Sequence, residues 1–267
     1  MDWYRLLIIA LVLLSCKNES YAKIESNTTK IQTKPEYSLL EIGECLDKGA
    51  RFLLDRQNPD GSWGSARQTK GLNIFAPVPG SHRAFRLAVT ALSVSALLEI
   101  KANNPNYAKC LQVSQQYLLD KLPELRRASP MALYNVWAHA YGLQALSRMH
   151  DLSDKKSEKK KIIEVMNQQI KMLQTYESID GGWGYYDFNA QTKQPSGSSI
   201  SFVNATGLVA LKEAEEAGAT VPKRLVLRAL EAIKRQRLPD HSYLYGEYLK
   251  YRPRHGINRP AGSLGRS

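Results

Sequence analysis

The amino-acid sequence predicts an all-α fold built from repeated helix pairs in two concentric layers, and three observations carry that prediction. One turn ending in Trp63 and another ending in Trp183 spell the same helix-then-turn device 120 residues apart. Helical stretches alternate between one-sided amphipathic segments and segments that are apolar or small almost all round. Steps of 60 residues from Trp63 reach Pro123, Trp183 and Tyr243, so the repeat is one outer plus one inner helix, with a degenerate joint at Pro123.

Residues 1–15 read as a signal peptide: Arg5 precedes an apolar run of ten, Leu6 to Ser15, too short to span a bilayer as an ordinary helix and of the length of a signal-peptide core. The expectation is an exported protein of the periplasm or cell envelope. Leu13-Leu14-Ser15-Cys16 resembles a bacterial lipobox, which would make Cys16 the lipid-attachment residue and the anchor to the membrane. Ser20-Tyr21-Ala22 resembles an ordinary small-x-small site, with cleavage after Ala22 as the alternative. Residues 16–36 are polar and without periodicity, as a flexible tether would be. Residues 37–267 form the single repeat domain.

Within that domain the one-sided helices are expected at residues 38–57, 158–175 and 223–237. In the second, Ile162, Ile163, Met166, Ile170 and Leu173 share a stripe; in the third, Val226, Ala229, Leu230 and Ile233 do. These are the outer helices. Residues 84–100, 131–149 and 202–211 lack a polar face and are expected to be buried on several sides as the inner ring. Cys45 and Cys110 fall on amphipathic stretches and read as small buried thiols, with neither a CxxC nor a nearby His. The expectation is no metal and no cofactor.

The turns have a direct physical reading. In Gln57-Asn58-Pro59-Asp60-Gly61-Ser62-Trp63, Pro fixes φ, Asp60 can bond nearby N–H groups and Gly61 takes positive φ, so the preceding helix must end. Phe52 and Leu53 are expected to face the neighbouring helix, Gln57 to donate to orphan carbonyls, and Trp63 to cover the turn with a rigid face and one N–H. Asp180, Gly181 and Trp183 repeat the pattern, and Asp240-His241-Ser242-Tyr243 echoes it. These residues read as structural staples.

The stretch from Lys48-Gly49 through Phe52-Leu53 and Gln57 to Gly61-Ser62-Trp63 resembles the repeat motif of the terpenoid cyclases and protein prenyltransferases. The resemblance implies an α/α toroid, here incomplete at about four helix pairs. Two enzyme classes come with that family, and the key residues of both are missing. No Asp-x-Asp-Asp cluster is present for alkene protonation, and no Asp, Cys and His set converges for zinc. The expected function is therefore an exported toroid repeat protein that binds a ligand or a protein; the alternative is an isoprenoid-processing enzyme whose catalytic part is missing or divergent.

Candidate binding residues gather where turns meet inner helices: His82, Arg83 and Arg86; Trp137 and His139, with Tyr134 and Tyr141; and Tyr185 and Tyr186, which follow the second tryptophan turn. Tyr243, Tyr245 and Glu247 follow the third turn. His139, inside an apolar helix, reads first as a satisfied core histidine. Asp187 is the one carboxylate placed as a weak general-acid candidate, against a plain turn aspartate. Arg252, Arg254, His255 and Arg259 form the densest basic cluster.

The formal net charge is +12, and residues 219–267 hold eleven Lys and Arg against three acids. Such a balance favours an anionic ligand or surface. Export argues against nucleic acid, and an isoprenoid ligand is what the resemblance implies.

Overall fold

The computed structural model describes residues 38–65, 81–100, 105–128, 130–187, 194–195 and 199–247. The described residues contain seven helices and no strand: α1 Leu39–Arg56, α2 Ser81–Ile100, α3 Pro105–Lys121, α4 Asn135–Leu152, α5 Lys156–Thr175, α6 Ser201–Glu216 and α7 Lys223–Gln236. The signal-peptide, tether, Cys16 and Arg252–Arg259 readings lie outside the described residues. The chain divides into a unit ending at Ile42 and a second beginning at Gly43. In the first, Ser38 and Glu41 form a capping box at the start of α1, with the Ser38 amide and hydroxyl both donating to Glu41 at 2.8 Å. All that follows concerns the second unit.

There, α2, α4 and α6 pack side by side as one layer, while α3, α5 and α7 pack on α2, α4 and α6 respectively as the other. The three inner helices are parallel. Near their N-termini, Phe85 of α2 lies against Tyr134, just before α4, and Trp137 of α4 lies against Phe202 of α6. Near their C-termini, Arg148 of α4 bonds both Glu99 of α2 and Glu213 of α6. Alternation of one-sided and all-round apolar helices thus becomes two layers, because a helix without a polar face needs neighbours on several sides.

The layers are locked at the turns. Trp63 donates its indole N–H to the Leu53 carbonyl of α1 at 2.7 Å, and its backbone N–H to Thr90 Oγ1 of α2 at 2.9 Å. Trp183 does the same between α5 and α6, to the Leu173 carbonyl at 2.8 Å and Asn204 Oδ1 at 2.6 Å. Each turn also touches the next outer helix. Gln57 donates to the Cys110 carbonyl of α3 at 2.9 Å, and Glu177, 120 residues on, accepts from Arg228 of α7 at 2.6 Å. The glycines are required by both conformation and space. Gly61 has φ 86° with the Val113 backbone 2.8 Å from a would-be Cβ; Gly181 has φ 92° with the Arg228 carbonyl oxygen at 2.5 Å.

The 60-residue register survives in the backbone. Asn58 N–H to Ser62 carbonyl, Ser178 to Gly182 and Leu238 to Ser242 are equivalent hydrogen bonds, each 2.8 Å long. At the third turn His241 takes the positive φ of 69° that glycine takes in the other two. At the degenerate joint the tryptophan position is Pro123, and the residue before it packs on the inner helix. Leu122 is fully buried against Gly142 of α4, as the Trp183 ring lies against Gly207 of α6.

Three local expectations need correction. Phe52 is 60% exposed, with Arg56 over its ring at 5.7 Å, and the neighbour-facing contacts come from Leu53 and Leu54. In α7 the buried stripe is Leu225, Ala229, Ala232 and Gln236, while Leu230 is exposed, so the helix is rotated from the expected face. Cys45 is exposed; Cys110 is buried.

Truncation of Trp183 to Ala should cost about 3–5 kcal/mol, as for other large buried aromatics, and Trp63→Ala about the same. Gly207→Ala, which pushes a methyl into the Trp183 ring, should cost about 1–3 kcal/mol. Denaturant titration checks all three, and parent-like stability in both tryptophan variants would remove the locking role.

Candidate functional site: an aromatic face on the inner helices

The outer helices cover one side of the inner layer; the other side carries a continuous run of rings. On α2 the positions Phe85, Val89, Leu92 and Glu99 recur at helical spacing; on α4, Trp137, Tyr141, Gln144 and Arg148; on α6, Phe202, Thr206, Val209 and Glu213. Val89, Leu92 and Val209 are exposed and the rings of Phe85, Trp137, Tyr141 and Phe202 half-buried, so this face is open rather than filled.

At the N-terminal end the rings form a connected cluster. Trp137 lies near-parallel to Tyr141, with centroids 5.6 Å apart and planes 14° apart, and to Phe202 at 5.9 Å and 20°. Tyr185 reaches both Trp137 and Phe202, at 6.3 and 6.5 Å. Tyr245, its equivalent one repeat later, meets Phe202 edge-on at 5.4 Å. Aromatic contacts of this kind each add a modest term beyond burial. The two tyrosines are held by short backbone pairings at the mouth of the inner helices: Leu133 N–H bonds the Tyr185 carbonyl, and Ser201 N–H bonds that of Tyr245, each at 3.0 Å. Behind them Tyr134 donates to the Tyr186 hydroxyl at 3.0 Å, and burial, followed by that hydrogen bond, pushes the Tyr134 phenol well above its ordinary range.

The opposite end is charged. Eleven residues along α4 from Trp137, about 16 Å at helical rise, Arg148 donates to Glu99 at 3.0 Å and to Glu213 at 2.9 Å. Burial raises the Glu213 carboxyl above its usual range, against the opposing pull of Arg148. One cation between two carboxylates ties the three helix ends together and leaves no surplus positive charge there.

The residues anticipated from sequence divide by position. Trp137, Tyr185 and Tyr186 belong to the ring cluster. His139 points the other way, into the interface between layers, fully buried between Gln169 Oε1 at 2.7 Å and Asn135 Nδ2 at 3.3 Å. Because the Gln169 amide nitrogen faces the Val165 carbonyl, its oxygen accepts, which assigns the imidazole proton to Nδ1. Arg86 is turned to the first lock, 3.3 Å from Asp60, which itself accepts from Ser62. His82 is half-buried and Arg83 exposed at the start of α2. Asp187 is buried against Arg127 at 3.2 Å, with its side chain 1% exposed, so it braces the segment before α4 and offers a ligand almost no surface.

Sequence reasoning missed Phe85, Phe202, Val89, Leu92 and Val209 as one face, and the Glu99, Arg148 and Glu213 set altogether. The first five did carry a signal, the spacing of bulky residues within all-round apolar helices. Among the described residues no group of three or more His, Cys, Asp or Glu is placed to hold a metal ion. The chain was compared with models of known families, with curated proteins and with solved structures. None of the three comparisons gives a match.

His139 supplies a pH test of this layout. Burial lowers its pKa from 6.5 to about 4, with the Gln169 hydrogen bond opposing and Arg126 adding to the effect. A depressed folded pKa contributes stability that is present above pH 6.5 and is lost as pH falls toward about 4, here roughly 3 kcal/mol. His139→Phe should be less stable at neutral pH yet lose less on acidification across that window. Equal acid slopes in denaturant titrations of parent and variant would contradict a neutral buried imidazole.

Proposed function

We propose that this protein is a non-catalytic α/α repeat protein of the terpenoid cyclase and prenyltransferase type, whose open inner face binds an apolar, isoprenoid-like ligand. The observation that carries the reading is the ring cluster of Phe85, Trp137, Tyr141, Tyr185, Phe202 and Tyr245, presented by three parallel helices and the segments after α5 and α7, and continued along the same face by Val89, Leu92 and Val209. Concave or open surfaces lined by aromatic and aliphatic side chains with few polar groups are where apolar ligands gain most from leaving water. The rings pack against the core by one side and stay part-exposed on the other, and with Val89, Leu92 and Val209 they make a contiguous apolar surface of the kind that binds ligands.

The polar groups on the face refine the ligand. No lysine or arginine stands within the ring cluster, Arg86 is engaged by Asp60, and Arg148 is neutralised by two carboxylates. This supports a neutral isoprenoid chain over its diphosphate. The enzyme alternative draws little from the same groups, since Asp187 is buried against Arg127 and His139 faces the interlayer core.

Titration of the protein with farnesol and with farnesyl diphosphate, read by tryptophan fluorescence and calorimetry, tests the reading. Farnesol should bind, the diphosphate more weakly, and Trp137→Ala and Phe202→Ala should each weaken farnesol binding by about tenfold, on the scale of one large aromatic contact. Parent-like binding in both variants, or no binding by the parent, would end the proposal. Turnover of either compound would establish the enzyme alternative.

A further inference from the structure

Outer helix α7 carries an apolar stripe on the side turned away from its partners. Its buried positions are Leu225, Ala229, Ala232 and Gln236. At about 3.6 residues per turn, the opposite side presents Lys223, Leu227, Leu230 and Lys234. Leu227 is 61% exposed and Leu230 40%, unusual values for leucines on a helix whose inner side is fully packed. Arg228 and Arg235 donate to the carbonyls of Ile179 and Asp180 at 2.8 and 2.6 Å, which holds the turn after α5 against α7, and Ile179 there is 63% exposed. Arg224 stands on the same exposed surface.

We propose that this side of α7 docks on the surface of an anionic phospholipid bilayer. Three features on the molecule select that occupant. The leucines are bracketed by Lys223 and Lys234 and flanked by Arg224; Lys234 is paired with Glu231 at 2.7 Å, so the surplus positive charge, Lys223 and Arg224, sits at the N-terminal end of the stripe, where a headgroup region would meet it. From Lys223 to Lys234 the stripe runs eleven helical steps, about 16 Å, enough to lie along a surface and not to cross one, and no described helix is long and apolar enough to cross a membrane. Lys223 and Arg224 make no ion pair among the described residues, which leaves them available to phosphate groups.

The proposal is independent of the aromatic face and is tested on the full chain by sedimentation with vesicles of phosphatidylcholine, alone or mixed with phosphatidylglycerol. The parent should bind the mixed vesicles, lose binding as salt is raised, and bind the neutral vesicles weakly. Leu227→Ser with Leu230→Ser, and separately Lys223→Glu with Lys234→Glu, should each lower partition onto mixed vesicles by about tenfold. All four positions are exposed, so folding is little affected; circular dichroism and an unchanged denaturation midpoint confirm that. Equal binding by parent and both variants would overturn the proposal and assign any membrane affinity to the apolar run from Leu6 to Ser15. Failure on vesicles together with variant-sensitive binding of poly-glutamate would overturn it in favour of an acidic protein partner.

Discussion

The structure depends on an indole that holds two layers at once. In each tryptophan turn the ring N–H satisfies a carbonyl near the end of an outer helix, while the backbone N–H of the same residue satisfies a buried side chain on the following inner helix. Neither group could be left unpaired in that position without a desolvation cost of about 1–3 kcal/mol. The turn must also come within contact distance of the next outer helix, and only glycine at 61 and 181 provides the conformation and the space together. Three helices therefore meet at one turn, and the repeat spacing follows, because the device works only when each outer and inner helix has the length that brings the next turn back to the same edge.

This arrangement makes the two sides of the inner layer unequal. The side against the outer helices receives the small and aliphatic residues and the paired polar ones: His139 with Gln169, Asn204 with Gln236, Ser147 with the Leu143 carbonyl. The other side receives no second layer among the described helices, yet it carries the large rings. A sequence selected only for packing would place its tryptophan and phenylalanines between layers, as it does with Trp183, and polar residues on the open side. Trp137, Phe202 and Tyr185 depart from that placement by keeping part of each ring on the open side, and the proposed ligand face rests on that departure.

Much of the fold was legible because it is periodic. Trp63 and Trp183 announce themselves by turn chemistry, and the alternation of helix types reports the two layers through hydropathy alone. The joint at Pro123 was hard to read because it carries neither the tryptophan nor the glycine turn of the other two; Leu122, buried against Gly142, packs on α4 there. The α7 face was misjudged because two candidate stripes lie side by side, and only the neighbouring turn, with Gly181 pressed on the Arg228 carbonyl, selects the one containing Leu225. The site was less legible for a different reason. Glu99, Arg148 and Glu213 are 49 and 65 residues apart in sequence and meet only because three helices run parallel, a fact about tertiary arrangement that no local pattern encodes.

The distribution of charge joins these threads. A chain with a net charge of +12 invites the idea of an anionic ligand held in its interior. The geometry divides that charge differently. On the inner face and at the locks the guanidinium groups are committed: Arg86 to Asp60, Arg127 to Asp187, and Arg148 to two carboxylates. Lysines such as Lys156, Lys160, Lys161, Lys223 and Lys234 stand exposed on the outer helices. A desolvated cation needs a bidentate or fixed partner, which suits arginine, whereas a hydrated ammonium on a long stem is tolerated where water or headgroups surround it. Uncommitted positive charge thus lies on the outer helices and the apolar aromatic surface on the opposite side of the other layer, so the two proposed interactions would use opposite sides of the same helix pairs.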